Sequence, residues 1–472
     1  SIRRQRQMCI RDRNSRSIMK KFLAFFLPIV GAIYLSAYIR SAVLDVVYTD
    51  YIRIINTYLR NPFSPEPYFG KDALTRLPIT FFERAINVKF FNYSTMFDMS
   101  LGIIFLSMMG IVIGLFMAKK NLKIGYIILV MMVVFSLSQW EMLTNGTGWV
   151  HFFTFFLFAL HFYILDSYIQ KESGFKLVLN ILLPVFTIIM AAGSYSLAYG
   201  ATLICAYIFY AFLRKKKRGV RMCIPVVMAL ALFMYSYMNA DNVNAGATSE
   251  SIVTVFGRDP LYFLYFGLNT FASDVVSVEL VKYFEINVIG TGILGAVIIL
   301  FYLDALYMNF RYKIYEDTIF PLLLVVSGLF SHTMVILTRW IFLDPMYAMS
   351  SRYSLQFGAG LIGVILTFAY IKRKVKGPGR KKPAPIKISL ISNIGVFVFV
   401  ILVFAGNLLT AGNELRMAKY RMESFEKKVK VAKNFEYESD ETLKTVLQYH
   451  SPKKTRDALR LIKSKKLNIF SE

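Results

Sequence analysis

Residues 338–357 read TRWIFLDPMYAMSSRYSLQF and join two strongly apolar stretches of the chain. Charged groups at the end of a membrane span are costly unless they face water, a partner or a ligand. Two interpretations of this junction are open. Its aromatic and arginine side chains can anchor the chain at the level of the lipid headgroups, or its arginines can bind a phosphate bidentately. The charged and aromatic residues concerned are Arg339, Asp344, Arg352, Trp340, Tyr347 and Tyr353.

The composition is that of a membrane protein. Of the 472 residues, 56% are hydrophobic and 16% are aromatic, and the mean hydropathy is +0.50. The apolar residues fall in runs of about 20 separated by basic clusters, which is the pattern of transmembrane helices. The net charge of +26 lies largely in short loops between these runs, where it indicates topology rather than a nucleic-acid partner. We therefore predict an all-α, polytopic membrane bundle that does not bind nucleic acid.

Three regions are expected along the chain. Residues 1–18 are expected to be non-native or disordered, because the segment MCIRDR within them matches the translation of a library adapter. Residues 19–411 form the transmembrane domain, and residues 412–472 form a small helical tail. About eleven stretches can each cross a hydrocarbon core of about 30 Å. They are 22–43, 100–118, 124–140, 150–169, 177–194, 196–213, 222–238, 287–308, 318–342, 354–371 and 390–411.

Basic loops predict the orientation of these spans. Four basic clusters fall on one side, and the positive-inside rule makes that side cytoplasmic. The N-terminus is then inside, whereas the loops 44–99 and 240–286 and the tail face outward. Within the second loop, the apolar run 261–271 is too short to span and is expected to lie in the interface or to cover the site as a lid. The basic clusters are 119–123, 214–221, 311–313 and 372–382.

Three carboxylates at the outer ends of spans are candidate catalytic groups: Asp45, Asp50 and Glu141. A carboxylate can take a proton from an acceptor hydroxyl, or it can bind a divalent cation such as Mg²⁺. The simpler alternative for Asp50 is a solvated ion pair with Arg53, three residues further on. Whether a metal is required is left open.

Cationic and phenolic groups at the same outer face are candidate phosphate ligands: Arg258, Arg339, Arg352 and Tyr353. Arginine can hold a phosphate while a nearby carboxylate acts on the acceptor, so this set fits a phosphate-linked lipid. The chain contains neither GxxxxGK[ST] nor GxGxxG, which argues against an ATP-driven pump.

Three segments resemble a known group of proteins: FLYFGLNTFA at 263–272, TRWIFLDPMYAMSSRYS at 338–354 and LRLIKSKKLNIF at 459–470. In this order they are similar to segments of uncharacterised bacterial polytopic membrane proteins. The first span, the acidic opening of the first outer loop, the second acid after the third span and the outer C-terminal part resemble the C superfamily of glycosyltransferases (GT-C).

The resemblance implies an enzyme of the bacterial cytoplasmic membrane. It would transfer a sugar from a polyprenyl-phosphate donor to a cell-surface glycan or lipid on the outer face. Asp50 would be the base or a metal ligand, supported by Asp45 or Glu141, while Arg352 and Arg339 would hold the phosphate. The membrane lipid and the lipid-linked donor are the implied partners, and the oligomeric state is left open.

Two alternatives remain beside the transferase. A polysaccharide polymerase or ligase also combines many spans with arginines in its outer loops. A transporter or flippase of lipid-linked or anionic solutes usually has charges or broken helices near the middle of the bilayer, often in two related halves. Here the candidate charges lie at span ends and no internal repeat is evident, which favours the enzyme.

Overall fold

The structure, a computed structural model, describes the backbone of residues 2–240, 246–376 and 390–471. It describes side chains for residues 17–240, 246–372 and 394–471. The regular elements in these ranges are all helical, as predicted. The α-helices are α1 (Ile2–Ala42), α2 (Asp50–Ile54), α3 (Ile79–Phe91), α4 (Thr95–Lys119), α5 (Ile124–Val134), α6 (Trp140–Thr144), α7 (Trp149–Gln170), α8 (Gly174–Thr187), α9 (Ser196–Arg214), α10 (Arg218–Met238), α11 (Ile252–Arg258), α12 (Pro260–Ala272), α13 (Val278–Tyr283), α14 (Val288–Arg311), α15 (Ile314–Asp317), α16 (Phe320–Arg339), α17 (Ser354–Lys376), α18 (Leu390–Lys433), α19 (Asp440–Val446) and α20 (Pro452–Ser464).

Ten helical stretches among the described residues are long and apolar enough to cross a membrane. The chain is therefore a multi-pass membrane protein. Helix α1 includes residues 2–18, for which the sequence predicted a non-native or disordered segment, and the origin of that segment stays a prediction. The ten stretches are Ser17–Ala42, Thr95–Lys119, Ile124–Thr144, Gly146–Gln170, Gly174–Arg214, Arg218–Met238, Val288–Arg311, Phe320–Phe342, Ser351–Lys372 and Ile394–Lys433.

One stretch, Gly174–Arg214, is 41 residues long and crosses twice. Gly193 has a φ of +51°, which favours glycine and turns the chain between α8 and α9. The Tyr207 hydroxyl donates to the Asn180 carbonyl oxygen (2.8 Å), and the Tyr210 hydroxyl donates to Glu172 Oε1 (2.6 Å). Since the end of α9 returns to the start of α8, the two helices are antiparallel passes. Counted as two passes, this stretch would bring the ten candidate stretches of the described chain to the eleven spans predicted from the sequence.

Contacts among basic loops define one end of the bundle, which we call the Lys120 face. The Lys120 ammonium donates to the Asp317 carbonyl oxygen (2.7 Å), and the Arg214 guanidinium donates to the Ile169 carbonyl oxygen (3.0 Å). The opposite end is the Asp45 face, which also carries Glu141. That the Lys120 face is cytoplasmic stays a prediction. Most of the basic cluster at 372–382 lies outside the described side chains.

The tail is helical and packs on the Asp45 face. Helix α18 continues from the membrane into the tail over 44 residues, about 66 Å at 1.5 Å per residue. Helices α19 and α20 then fold back onto the first loop. Thr49 N donates to the Leu447 carbonyl oxygen (2.8 Å), and Asn468 N donates to the Asn92 carbonyl oxygen (2.7 Å). The predicted small helical appendage is present, and its backbone is tied to the first loop.

The second long loop does not lie flat in the interface, as the sequence had suggested for residues 261–271. Helix α12 enters the bundle between α14 and α16. A Cβ on Gly295 of α14 would lie 2.0 Å from the Leu268 carbonyl oxygen, and the Phe271 ring stacks on His332 of α16 at 3.9 Å. His332 precedes Trp340, at the Asp45 face, by eight residues, a depth of about 12 Å.

The chain turns after α12 and returns to the Asp45 face. On the way back, Glu279 in α13 accepts a hydrogen bond from Trp140 Nε1 (2.9 Å), and Trp140 begins α6 at that face. We call residues 260–283 the re-entrant hairpin. Its inner turn carries Asp274, whose carboxylate accepts a hydrogen bond from Tyr302 of α14 (2.9 Å).

Candidate functional site

An ion pair between Glu141 and Arg352 lies at the centre of the Asp45 face. Glu141 belongs to α6, and Arg352 belongs to the short 3₁₀ turn Ser351–Tyr353 that leads into α17. Arg352 Nη2 donates to Glu141 Oε1 at 2.5 Å. The Arg352 side chain is 41% exposed and the Glu141 side chain is 30% exposed, so water can reach the ion pair.

Serine hydroxyl groups engage the other oxygen of this carboxylate. Ser351 Oγ donates to Glu141 Oε2 at 3.1 Å, and Ser350 Oγ reaches the same atom at 3.5 Å. The next serine, Ser354, donates to the Ser138 carbonyl oxygen (3.0 Å) and joins the turn to the segment before α6. The segment SSRYS therefore holds Glu141 from one side while it presents Arg352.

Near the arginines of this site, several hydrogen-bonding groups have no partner among the described residues. Arg352 Nε and the Tyr353 hydroxyl are buried without a hydrogen-bond partner among the described residues. Arg339, in the last turn of α16, is half-buried and makes no hydrogen bond or ion pair within the described part of the chain. Both guanidinium groups lie within electrostatic reach of Tyr353. Because unused buried donors are costly, this arrangement fits an anion.

Helix α6 is held against the tail by residues that the sequence did not single out. The Arg421 guanidinium lies 3.2 Å from the centre of the Trp140 ring, a cation–π contact. Arg421 also pairs with the buried Glu414 at 2.6 Å. Trp140 precedes Glu141, so the tail fixes the helix that carries the acidic member of the site. Nothing in the local sequence around Arg421 predicts this contact.

Asp50 lies near the ion pair but is solvated. It begins α2, its side chain is 57% exposed, and Arg53 Nη2 lies 3.7 Å from its Oδ1. Asp50 is connected to the ion pair electrostatically, through Tyr48. Burial raises the pKa of the Tyr48 phenol, the Glu141 carboxylate raises that pKa further, and the Asp50 carboxylate raises it by a smaller amount. The two carboxylates therefore lie within electrostatic reach of one phenol.

Asp45, in contrast to Asp50, is held by hydrogen bonds from several protein groups. Its Oδ1 accepts from Thr95 N (2.8 Å), Thr95 Oγ1 (2.8 Å) and Asn468 Nδ2 (2.7 Å), while its Oδ2 accepts from Ser94 Oγ (2.5 Å). These contacts join the end of α1, the start of α4 and the tail. With both oxygens bound by protein donors, Asp45 acts as a tether, and a catalytic part for it stays a prediction.

Arg258 is not brought to the Glu141–Arg352 pair by any recorded contact. It ends α11, its side chain is 58% exposed, and it pairs with Glu250 at 3.1 Å. Its predicted phosphate contact is therefore untested by this geometry.

A buried carboxyl pair, Glu83 and Asp98, lies beside Asp45 and was missed from the sequence. The two side chains are 6% and 4% exposed and lie within electrostatic reach of each other. Asp98 accepts hydrogen bonds from the Tyr51 hydroxyl (2.5 Å) and from Asn87 Nδ2 (2.6 Å). Burial raises the pKa of the Glu83 carboxyl. The available signal was an acid within the first turn of an apolar span.

The arrangement of these groups gives little support to a binding site for a divalent cation. Across the described ranges, no group of three or more His, Cys, Asp or Glu side chains is arranged to hold a metal ion. The oxygens of Asp45 are filled by protein donors, and Asp50 pairs with Arg53. The Mg²⁺ suggested from the sequence stays a prediction.

Comparison with protein-family models, with curated proteins and with solved structures finds no match to this chain. What the fold and site define is therefore a class: an all-α, multi-pass membrane protein with an arginine-rich polar site at one membrane face.

Proposed function

We propose that this protein is a membrane glycosyltransferase of the GT-C type that uses a polyprenyl-phosphate-linked sugar on the Asp45 face. The observation that carries the proposal is the state of Arg352: one nitrogen pairs with Glu141, while its buried Nε has no partner among the described residues. A phosphate placed there would gain Arg352, the nearby Arg339 and the Tyr353 hydroxyl. These are the donors that a phosphate monoester or diester requires.

The ion pair also supplies a way to couple donor binding to catalysis. A phosphate that takes over the Arg352 guanidinium competes with Glu141 for the same nitrogen. The released Glu141 carboxylate, held by Ser351, is then free to accept a proton from the acceptor hydroxyl. Asp50 is the second candidate base, since it shares the surroundings of Tyr48 with Glu141.

The bond changes balance without a further reactant. The acceptor oxygen forms a bond to the anomeric carbon of the sugar, and the bond from that carbon to the phosphate oxygen breaks. The polyprenyl phosphate leaves with the electron pair, where the arginines stabilise its charge. The acceptor proton goes to the carboxylate. A polymerase or ligase would use the same steps with a lipid-linked chain as donor.

Transfer of labelled sugar tests the proposal. Purified protein in vesicles would be given a polyprenyl-phosphate-linked labelled sugar and a lipid extract as acceptor. Glu141→Gln should lower the transfer rate by about a hundredfold or more, as expected for loss of a general base. Glu172→Gln is the matched control, because Glu172 pairs with Lys216 at the Lys120 face, the opposite end of the bundle. Equal rates in Glu141→Gln and wild type would exclude Glu141 as the base.

A transporter is the second candidate, and one observation favours it. Asp274 and His332 lie inside the bundle on the re-entrant hairpin and α16, with side chains 0% and 1% exposed. Ionisable groups inside a membrane domain, next to a broken helix, are typical of transport pathways. Movement of an intact labelled polyprenyl-phosphate sugar across the vesicle membrane, without transfer, would favour this function over the enzyme.

A further inference from the structure

A small polar cavity lies inside the bundle at the inner turn of the re-entrant hairpin. It has about 20 Å³ of free space, which is room for one water-sized species. The hairpin, α17, α18 and the segment before α6 meet there. Its polar lining is formed by Ser136, Ser138, Gln139, Ser273, Asp274, Ser354 and Asn407.

Asp274 is the one charged side chain among the described residues that line this cavity. It is fully buried, and its Oδ2 accepts from the Tyr302 hydroxyl (2.9 Å) and lies 3.5 Å from His332 Nε2. Its Oδ1 has no hydrogen-bond partner from any described group. An ionised carboxylate oxygen without a partner is costly in such a place, so a bound cation would stabilise the charged form of Asp274.

Several other polar groups of the cavity donate a hydrogen bond to a backbone carbonyl group, including Gln139 Nε2 to the Val134 carbonyl oxygen (2.9 Å). Ser273 Oγ donates to the Thr270 carbonyl oxygen (2.6 Å), and Ser354 Oγ donates to the Ser138 carbonyl oxygen (3.0 Å). Asn407 Nδ2 donates to the Val403 carbonyl oxygen (2.9 Å), while Asn407 Oδ1 has no partner in the described ranges. The cavity therefore presents two oxygens that have no hydrogen-bond partner in the described ranges, Asp274 Oδ1 and Asn407 Oδ1.

The backbone adds to this negative environment. Helix α12, with 13 residues, ends at Ala272, so the negative end of its dipole and its last carbonyl groups point to the turn that carries Asp274. Interrupted helices in transporters use such C-terminal ends, together with unwound carbonyl groups, to hold Na⁺ or a proton. A neighbouring carboxylate and several oxygens are what a hard cation prefers.

We propose that this cavity binds a single monovalent cation of the size of Na⁺, with Asp274 Oδ1 and Asn407 Oδ1 as its principal ligands. One carboxylate neutralises one positive charge, whereas a divalent cation would leave a net charge in the bundle. The cation lies beneath the Glu141–Arg352 pair, because Ser354 and Ser138 belong both to the cavity and to the support of that pair. The site goes beyond the proposed transferase and does not depend on it.

Direct binding of radiolabelled Na⁺ to the purified full-length protein tests the proposal. Wild type should bind one Na⁺ per chain saturably, and Na⁺ should raise its melting temperature where choline at the same ionic strength does not. Asp274→Asn should abolish both effects. Asp304→Asn is the matched control, because Asp304 is a half-buried carboxyl of α14 that does not line the cavity.

A second variant keeps the test valid if Asp274→Asn does not fold. Asn407→Ala leaves Asp274, Tyr302 and His332 in place and removes one ligand. It should weaken Na⁺ binding by about tenfold or more, the effect of losing one interaction with a charged group. Absence of saturable Na⁺ binding to wild type, or unchanged binding in Asn407→Ala, would overturn the proposal.

Discussion

Glu141 and Arg352 lie 211 positions apart in the chain and meet at 2.5 Å on the Asp45 face. Both side chains are partly exposed, and exposed ion pairs contribute about 0–1 kcal/mol to stability. The pair therefore explains little of the stability of the fold. Its importance lies in ligand exchange, because an anion can replace Glu141 on Arg352, and Arg339 and Arg352 both lie within electrostatic reach of Tyr353.

The hydrogen bonds to Asp45 predict that the C-terminal tail depends on Asn468 for its attachment to the first loop. Asn468→Ala removes one charged hydrogen bond to Asp45 Oδ1 and leaves the carboxylate bound to Ser94 and Thr95. A bond of this kind contributes about 1.5–3 kcal/mol. We expect the tail to become cleavable by protease in the folded protein, while the transmembrane domain stays intact.

Asn434→Ala is the control for this experiment, since Asn434 lies on the exposed side of the tail. The same rate of tail cleavage in both variants would contradict the tether.

Glu83 predicts a pH dependence of stability. Its folded pKa is raised above the usual 4.5, chiefly by burial. The folded state then binds more protons than the unfolded state, so this group lowers the free energy of unfolding as the pH rises from about 4.5 through the folded pKa. Below pH 4.5 the carboxyl is protonated in both states and the penalty is absent.

The Glu83→Gln variant should therefore lose less stability than wild type as the pH rises above 4.5. The measurement is the melting temperature in detergent across a pH series. Glu66→Gln, an exposed acid of the same loop, should leave the wild-type profile unchanged. A Glu83→Gln profile parallel to wild type would show that Glu83 does not titrate in this way.

The orientation can be tested by cysteine labelling in intact cells. The tail lies on the Asp45 face, and the positive-inside rule makes the Lys120 face cytoplasmic. Ser471→Cys should react with a membrane-impermeant thiol reagent in intact cells. Lys123→Cys, at the Lys120 face, should react after lysis alone. The reverse pattern would invert the orientation.

Much of the fold could be predicted from the sequence because apolar length and basic loops are local signals. Both passes of the α8–α9 pair follow from runs of about 20 apolar residues around Gly193. The helical tail follows from its amphipathic spacing. The junction 338–357 could be singled out because charges at span ends are costly, while its part in binding a phosphate stays a prediction.

The partners of those residues could not be predicted, because they come from distant parts of the chain. Glu141 and Arg352 were both named, but their contact depends on how α6 packs beside α17. The depth of the re-entrant hairpin was missed because a mainly apolar run of eleven residues, 261–271, fits an interface as well as a bundle. Asp274 and Glu83 were missed for the same reason: their burial is set by tertiary packing.

The binding of a polyprenyl phosphate to the Arg352→Lys variant tests the central claim most directly. Lysine keeps the charge but cannot reproduce the two-edged geometry of the guanidinium group. It also reaches the headgroup region as well as arginine does, so an interfacial anchor would tolerate the change. Arg218→Lys, at an exposed ion pair on the Lys120 face, is the matched control.

In nanodiscs, Arg352→Lys should fold and insert normally and bind the polyprenyl phosphate about tenfold to a hundredfold more weakly than wild type, the loss expected for about 1.5–3 kcal/mol. Arg218→Lys should bind as wild type does. Wild-type affinity in Arg352→Lys would contradict the account and would leave residues 338–357 as an anchor at the membrane interface.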